Sequence, residues 1–339
     1  MALVKSWVSR CFVTLAIAFS VACATPAGTK PSVQIQDAPR RPGLPVVLVA
    51  MPSSAVMLEV RKGLLSELED EFDLVSLPVG DDTSPETLAA GLDRTTPKCV
   101  VLMNNKTLDL YKKLQASQPG RTYPPAVVVM SSFLEEEIKG LKNAVGISYE
   151  VPGVSAFVRL RSVLSRQVRK VGVLHRARFA SFVGKQSKLA ALEKFELVPQ
   201  EMPASPSASD IRDGLEALSK RGVDAVWVLN DNALLGNQTL LATGWMPGIQ
   251  AGTVPVIVNV EALVDPKIRF GSFAVLPDHE ALGVQTANKV FELMEADWEL
   301  DEGSVDLPLS VKTILKVEEA RSMFGINEGR LGEVNRLVQ

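Results

Sequence analysis

PVVLVAMPSSAVMLEVRKGLLSELEDEFDLVSLPV (45–79) decides the fold. It opens on an unbroken apolar run, passes through a short polar turn, and continues into an amphipathic segment. Leu64, Leu65 and Leu68 in that segment repeat at helical spacing. A second apolar run (72–79) follows. Val-rich runs without alternation are the mark of strands covered on both faces. The stretch therefore reads strand, helix, strand. The same alternation continues outward through CVVLM (99–103) and AVVVM (126–130), with helical patterns over 84–94, 106–117 and 132–142. A strand-helix series of this kind predicts a parallel, doubly wound sheet.

After a bridging stretch (143–149) and Pro152-Gly153, the series restarts. A helix over 154–167 precedes KVGVLH (170–175), a helix over 181–194 and FELVPQEM (195–202). A helix starting near Ser209 and Asp210 leads to DAVWVLN (224–230), VPVIVN (254–259) and RFGSFAV (269–275). HEALGVQTANKVFELMEA (279–296) predicts a long helix. Residues 307–317 read as a strand, and VEEARSMFG as a closing helix that ends at Gly325.

The 339 residues are 46% apolar and 22% charged, enough for a sizeable core, and the net charge is −3. Lys and Arg are spread along the chain, which argues against nucleic acid as a partner. The only histidines are His175 and His279, and the three cysteines are far apart. Neither a zinc-binding spacing nor a disulfide framework can be built from them.

The N-terminus carries an address. Lys5 and Arg10 precede an apolar run (11–22) too short to cross a hydrocarbon core of ~30 Å comfortably, and small residues follow. Residues 1–23 are thus a signal peptide. SVAC (20–23) resembles a lipobox, which would leave Cys23 lipidated, although its first residue is Ser rather than Leu. ACA (22–24) is the competing ordinary cleavage site, and an uncleaved anchor is the remaining alternative. The lipobox implies a periplasmic, membrane-anchored lipoprotein. Thr25 in place of Asp resembles the outer-membrane class. Cys99 would then be the remaining thiol, expected to be buried, and a lone thiol cannot mispair in an oxidising compartment. Residues 24–44, rich in Pro and Gly, read as a flexible tether.

VDAVWVLNDNALLG (223–236) resembles the signature of a family of ABC-transporter substrate-binding proteins with the type I periplasmic-binding fold. NAVGISYEVPG (143–153) resembles that family's first crossover. KVGVLHRARFASFVGKQ (170–186) resembles its strand, ligand loop and helix, and FGSFAVLPDHEALGVQTA (270–287) its second crossover. The tail ILKVEEARSMFGI (314–326) also fits, so the resemblance covers 45–326. It implies an α/β protein of two Rossmann-like lobes with parallel sheets, joined by hinge crossovers. The first lobe would comprise 45–148 plus 278–300, the second 149–277, with a C-terminal crossover strand and helix in 301–339. It also implies an ABC permease as partner and no cofactor. The loops after the first, third and fourth strands depart from the family pattern, so ligand identity is not carried over.

Ligands of open α/β sheets bind beyond the carboxyl ends of the strands, where helix N-termini attract carboxylates. The residues expected there are Ser53 and Ser54, Asn104, Asn105, Lys106 and Thr107, and Ser131 and Ser132. Opposite them stand His175 and Arg176, Asn230, Asp231 and Asn232, and Asn259 and Glu261. Tyr149 lies in the crossover, in hinge packing or ligand stacking. Hydroxyls and Lys106 would hold a carboxylate and Asp231 an ammonium group, as in an amino acid. The competing reading makes the Ser and Asn residues helix caps. His279 is expected exposed at a helix start, and Glu135, Glu136 and Glu137 are expected only to suit a helix dipole.

No G-x-S-x-G, G-x-x-x-x-G-K-[ST], G-x-G-x-x-G or H-E-x-x-H occurs in the sequence, so binding is expected rather than catalysis. A different class of function is an outer-membrane lipoprotein that uses the fold to contact other proteins. A sensor ectodomain would need a downstream transmembrane helix, which the sequence does not supply.

Overall fold

The computed structural model describes residues 41–339. The signal peptide, Cys23 and all but the last residues of the tether lie outside the described residues. Among those described, no helix is long and apolar enough to cross a membrane.

The opening stretch folds as read, with β1 (Val46–Met51), α1 (Ala55–Leu68) and β2 (Asp73–Pro78). The series continues with α2 (Pro85–Thr95), β3 (Cys99–Met103), α3 (Asn105–Ser117), β4 (Ala126–Val129), α4 (Leu134–Glu137) and β5 (Ala144–Ile147). Every residue of β3 and β4 is buried, as their lack of alternation requires. Val47, Val49 and Met51 of β1 face one core, and Leu48 and Ala50 face the other. Cys99 is buried with a free thiol, and desolvation pushes its pKa up to about 12.

The second series comprises α5 (Gly153–Val163), β6 (Lys170–Arg176), α6 (Ala180–Leu192), β7 (Glu196–Met202), α7 (Ala208–Lys220) and β8 (Ala225–Trp227). Three short helices follow, α8 (Asn232–Leu235), α9 (Gln238–Leu240) and α10 (Met246–Ala251), and then β9 (Val256–Val258) and β10 (Phe273–Pro277). Last come α11 (His279–Glu295), β11 (Val305–Asp306), β12 (Val311–Lys316), α12 (Val317–Glu319) and β13 (Arg336–Val338). The first sheet has the order β11-β5-β4-β3-β1-β2 and is wholly parallel. The second has the order β13-β12-β10-β9-β8-β6-β7, with β12 antiparallel to β10. The chain passes between the lobes after β5, after β10, and between β11 and β12. Residues 301–339 are thereby divided, β11 joining the first sheet and β12 and β13 the second.

Several elements differ from the sequence reading. The bridging stretch supplies a further strand, β5. The helix expected over 132–142 shrinks to α4, because Phe133 takes a left-handed conformation (φ 56°) and Gly140 follows at φ +79°. The helix expected over 154–167 stops at Val163, where Leu164 turns extended and bridges Ile326. The cap of α7 is Ser207, whose side chain and that of Asp210 form a capping box. His279, expected exposed, is only 2% accessible.

Helices α1 and α11 cross with almost no space between their backbones. A Cβ on Gly63 would lie 1.9 Å from the Glu280 carbonyl oxygen, and one on Gly283 would lie 2.0 Å from that of Val60. Both would meet backbone, which cannot rotate away. Gly283→Ala is expected to cost about 1–3 kcal/mol, the usual range for overpacking. Urea denaturation measures it, and an unchanged midpoint would show that the helices do not cross this way.

Candidate functional site

The carboxyl ends of β1, β3 and β4 carry the first lobe's polar loops. Ser53 is half-buried, and Ser54 caps α1 by accepting from the Met57 amide at 3.5 Å. Asn104 (φ 82°) caps α3, accepting from the Thr107 amide at 3.0 Å and the Thr107 hydroxyl at 3.1 Å. Thr107 is fully buried. Asn105 donates to the Ser132 carbonyl and accepts from the Ser132 amide, both at 2.9 Å. That reciprocal pair fixes the loop after β4 against the start of α3. Lys106 pairs with Asp81 at 2.7 Å, and the Asp81 carboxylate is fully exposed. Ser131 is 0% exposed, and its hydroxyl has no partner among the described residues.

In the second lobe, β6 ends on His175 and Arg176. His175 is buried, with Nδ1 at 3.1 Å from the Arg176 carbonyl oxygen. The Arg176 guanidinium grips Asp231 bidentately, with Nε to Oδ2 and Nη2 to Oδ1 each at 2.6 Å. Asp231 also accepts from the Ala233 amide and so caps α8. Asp231, which the sequence reading gives to an ammonium group, is thus already paired within the protein. Its Arg partner also satisfies the charge that the ligand was expected to meet. Asn232 is exposed, and half-buried Glu261 pairs with Arg336. Asn230 is 6% exposed and Asn259 2%. Both amide atoms of Asn230 and Nδ2 of Asn259 lack a partner among the described residues.

The crossovers bring the lobes together. The Tyr149 hydroxyl lies 3.2 Å from His279 Nε2, and His279 Nδ1 lies 3.1 Å from Glu59 Oε2. This packing against the crossover is what buries His279. Glu150 is buried, and its Oε2 accepts from the Phe133 amide at 2.8 Å. Desolvation pushes the Glu150 carboxyl up to about 7. Phe133 stacks on Phe179 of the second lobe at 3.8 Å and meets Phe182 edge-on at 5.2 Å. Lys185 pairs with Glu135 at 2.6 Å, and Arg178 pairs with Glu137. The acidic triplet therefore does more than suit a dipole, because two of its three carboxylates bridge to the other lobe. Sequence reasoning missed Phe133, Glu150 and Glu59. Glu150, a lone carboxylate between Tyr149 and Val151 in a crossover, was the one visible signal.

Solved structures with this arrangement are known. A substrate-binding protein with adhesive properties from Clostridium difficile, in its ligand-free open form, is 14% identical with a TM-score of 0.62. The ABC domain from Streptococcus pneumonia in complex with L-Trp is 16% identical with a TM-score of 0.57. A conserved domain protein from Vibrio cholerae is 17% identical with a TM-score of 0.56. Each likeness covers 87% of this chain and 99% of the other. The chain thus has the two-lobed, type I periplasmic-binding-protein fold, as the sequence resemblance implied. No protein-family model matches the chain, and no curated protein matches it by sequence.

Proposed function

We propose that the protein is an exported solute-binding protein of an ABC importer that holds a small polar ligand between its lobes. The observation that carries this reading is the set of buried, unpartnered polar atoms on Ser131, Asn230 and Asn259, at strand ends of both lobes. A buried polar group without a hydrogen bond costs about 1–3 kcal/mol, which a bound ligand would recover. Arg176 holds both oxygens of Asp231, so the ammonium group of an amino acid would there share a carboxylate that is already paired. The rest of the reading is unaltered: Cys23 is the lipid anchor, 24–44 the leash, the periplasm the compartment, and an ABC permease the partner.

Native mass spectrometry of the freshly purified protein tests this. A retained, releasable adduct the size of a small solute is expected. A bare polypeptide mass, with no small solute raising the melting temperature, would reject the reading.

One observation favours a second reading, an outer-membrane lipoprotein that binds another protein. The lobes are held together by the protein's own Phe133 stack and two ion pairs, while Leu309 on the third crossover is 84% exposed. Capture of a defined envelope protein, lost on Leu309→Asp, would support it.

A further inference from the structure

We propose that proton release from Glu150 unlatches the two lobes, so that mild acid holds them together and a rise toward neutral pH lets them part. This does not depend on what the protein binds. The latch is Phe133. Its ring stacks on Phe179 of the second lobe at 3.8 Å and meets Phe182 edge-on at 5.2 Å. Its backbone is left-handed (φ 56°), which a bulky residue keeps only where its surroundings impose it. Glu150 Oε2 supplies part of that hold by accepting from the Phe133 amide at 2.8 Å. A carboxyl on the first crossover thus fixes the residue that spans from one lobe to the other.

Glu150 is 4% exposed and borders a cavity of about 30 Å³, room for about one water. Both lobes supply its walls, Phe133, Glu135 and Glu136 from the first and Phe182, Lys185 and Gln186 from the second. Among the described residues Oε1 has no partner, and Oε2 has the Ser148 hydroxyl at 3.4 Å besides the Phe133 amide. The charged groups facing the carboxyl do not neutralise it. Glu135 and Glu136 carry its own sign, Lys185 is drawn to Glu135 at 2.6 Å, and Glu136 pairs with Lys139. On the crossover itself Tyr149 adjoins Glu150, and its hydroxyl meets His279 Nε2. The third crossover contributes apolar Leu307. An ionised carboxylate without a counter-charge is costly here, whereas the protonated group is neutral. Because Phe182, Lys185 and Gln186 form one wall, withdrawing the second lobe opens the cavity to water and hydrates the ionised group. Burial raises the carboxyl from 4.5 to about 7. The ratio of joined to parted lobes therefore falls by up to about tenfold per pH unit across that interval.

Small-angle X-ray scattering of the purified, exhaustively dialysed protein at pH 5 and pH 8, at equal ionic strength, tests this. The radius of gyration is expected to be larger at pH 8, with the far-UV circular dichroism unchanged. No increase overturns the proposal. An increase accompanied by lost ellipticity is unfolding rather than lobe separation and overturns it as well. Glu150→Gln cannot ionise and is expected to stay compact at both pH values. Expansion of that variant at pH 8 to the extent of the parent removes Glu150 as the switch. His279→Gln is expected to keep the parent's response, and its loss there would assign the switch to His279 instead. Phe133→Ala deletes the stack and keeps the protein testable if Glu150→Gln does not fold. It is expected to be expanded at pH 5 already, and a profile like the parent's would overturn the latch.

Discussion

Arg176→Ala destabilises the protein by about 3–5 kcal/mol, the usual cost of breaking a buried ion pair from one side. The Asp231 side chain is 1% exposed and the Arg176 side chain 15%. Removing the guanidinium deletes both 2.6 Å hydrogen bonds and leaves the carboxylate with only the Ala233 amide. The orphaned charge, rather than the lost attraction, accounts for most of the effect. The double substitution Arg176→Met with Asp231→Asn removes the charge as well and is expected to recover a large part of the loss. Chemical denaturation of the three proteins measures this. A loss below about 1 kcal/mol for Arg176→Ala, the range of a solvated pair, would contradict the buried grip described here.

The second large effect is on pH dependence. The Glu150 carboxyl is raised from 4.5 to about 7 by burial, with the nearby Glu135 adding to the shift. A carboxyl raised by folding binds its proton more tightly in the native state. Its contribution to stability is therefore fully present below pH 4.5 and is lost as pH rises to about 7. The loss amounts to about 3 kcal/mol, at ~1.4 kcal/mol per pH unit. Glu150 acts on more than itself, because its Oε2 holds the Phe133 amide and Phe133 stacks into the second lobe. Glu150→Gln keeps the size and a hydrogen-bonding oxygen but does not titrate. Urea midpoints at pH 5 and pH 8 are expected to differ less in Glu150→Gln than in the parent. Equal differences in the two proteins would remove Glu150 as the source.

The strand-helix series was legible because parallel sheets buried on both faces demand continuous apolar runs, as in CVVLM (99–103). The helix caps were legible as one of two readings. Ser54 and Asn104 bond their own helices, a local pattern that residue type and spacing can announce. α4 was not legible. LEEEIKGLK has good helical spacing, yet the left-handed Phe133 and the interlobe stack confine it to one turn. His279 was misplaced for a related reason. The first turn of a helix is ordinarily exposed, but here the crossover carrying Tyr149 lies over it.

By itself, then, the sequence determined the export segment as a reading, the two α/β series, and the strand ends at which polar residues gather. These follow from local periodicity and from chain order. Only the tertiary structure decided which of those polar residues are spoken for. Arg176 and Asp231 are 55 positions apart, and Glu59 and His279 are 220 apart. No local pattern encodes pairs of that separation. Folding brings them together, and among the described residues Ser131, Asn230 and Asn259 are strand-end groups that keep unpartnered polar atoms.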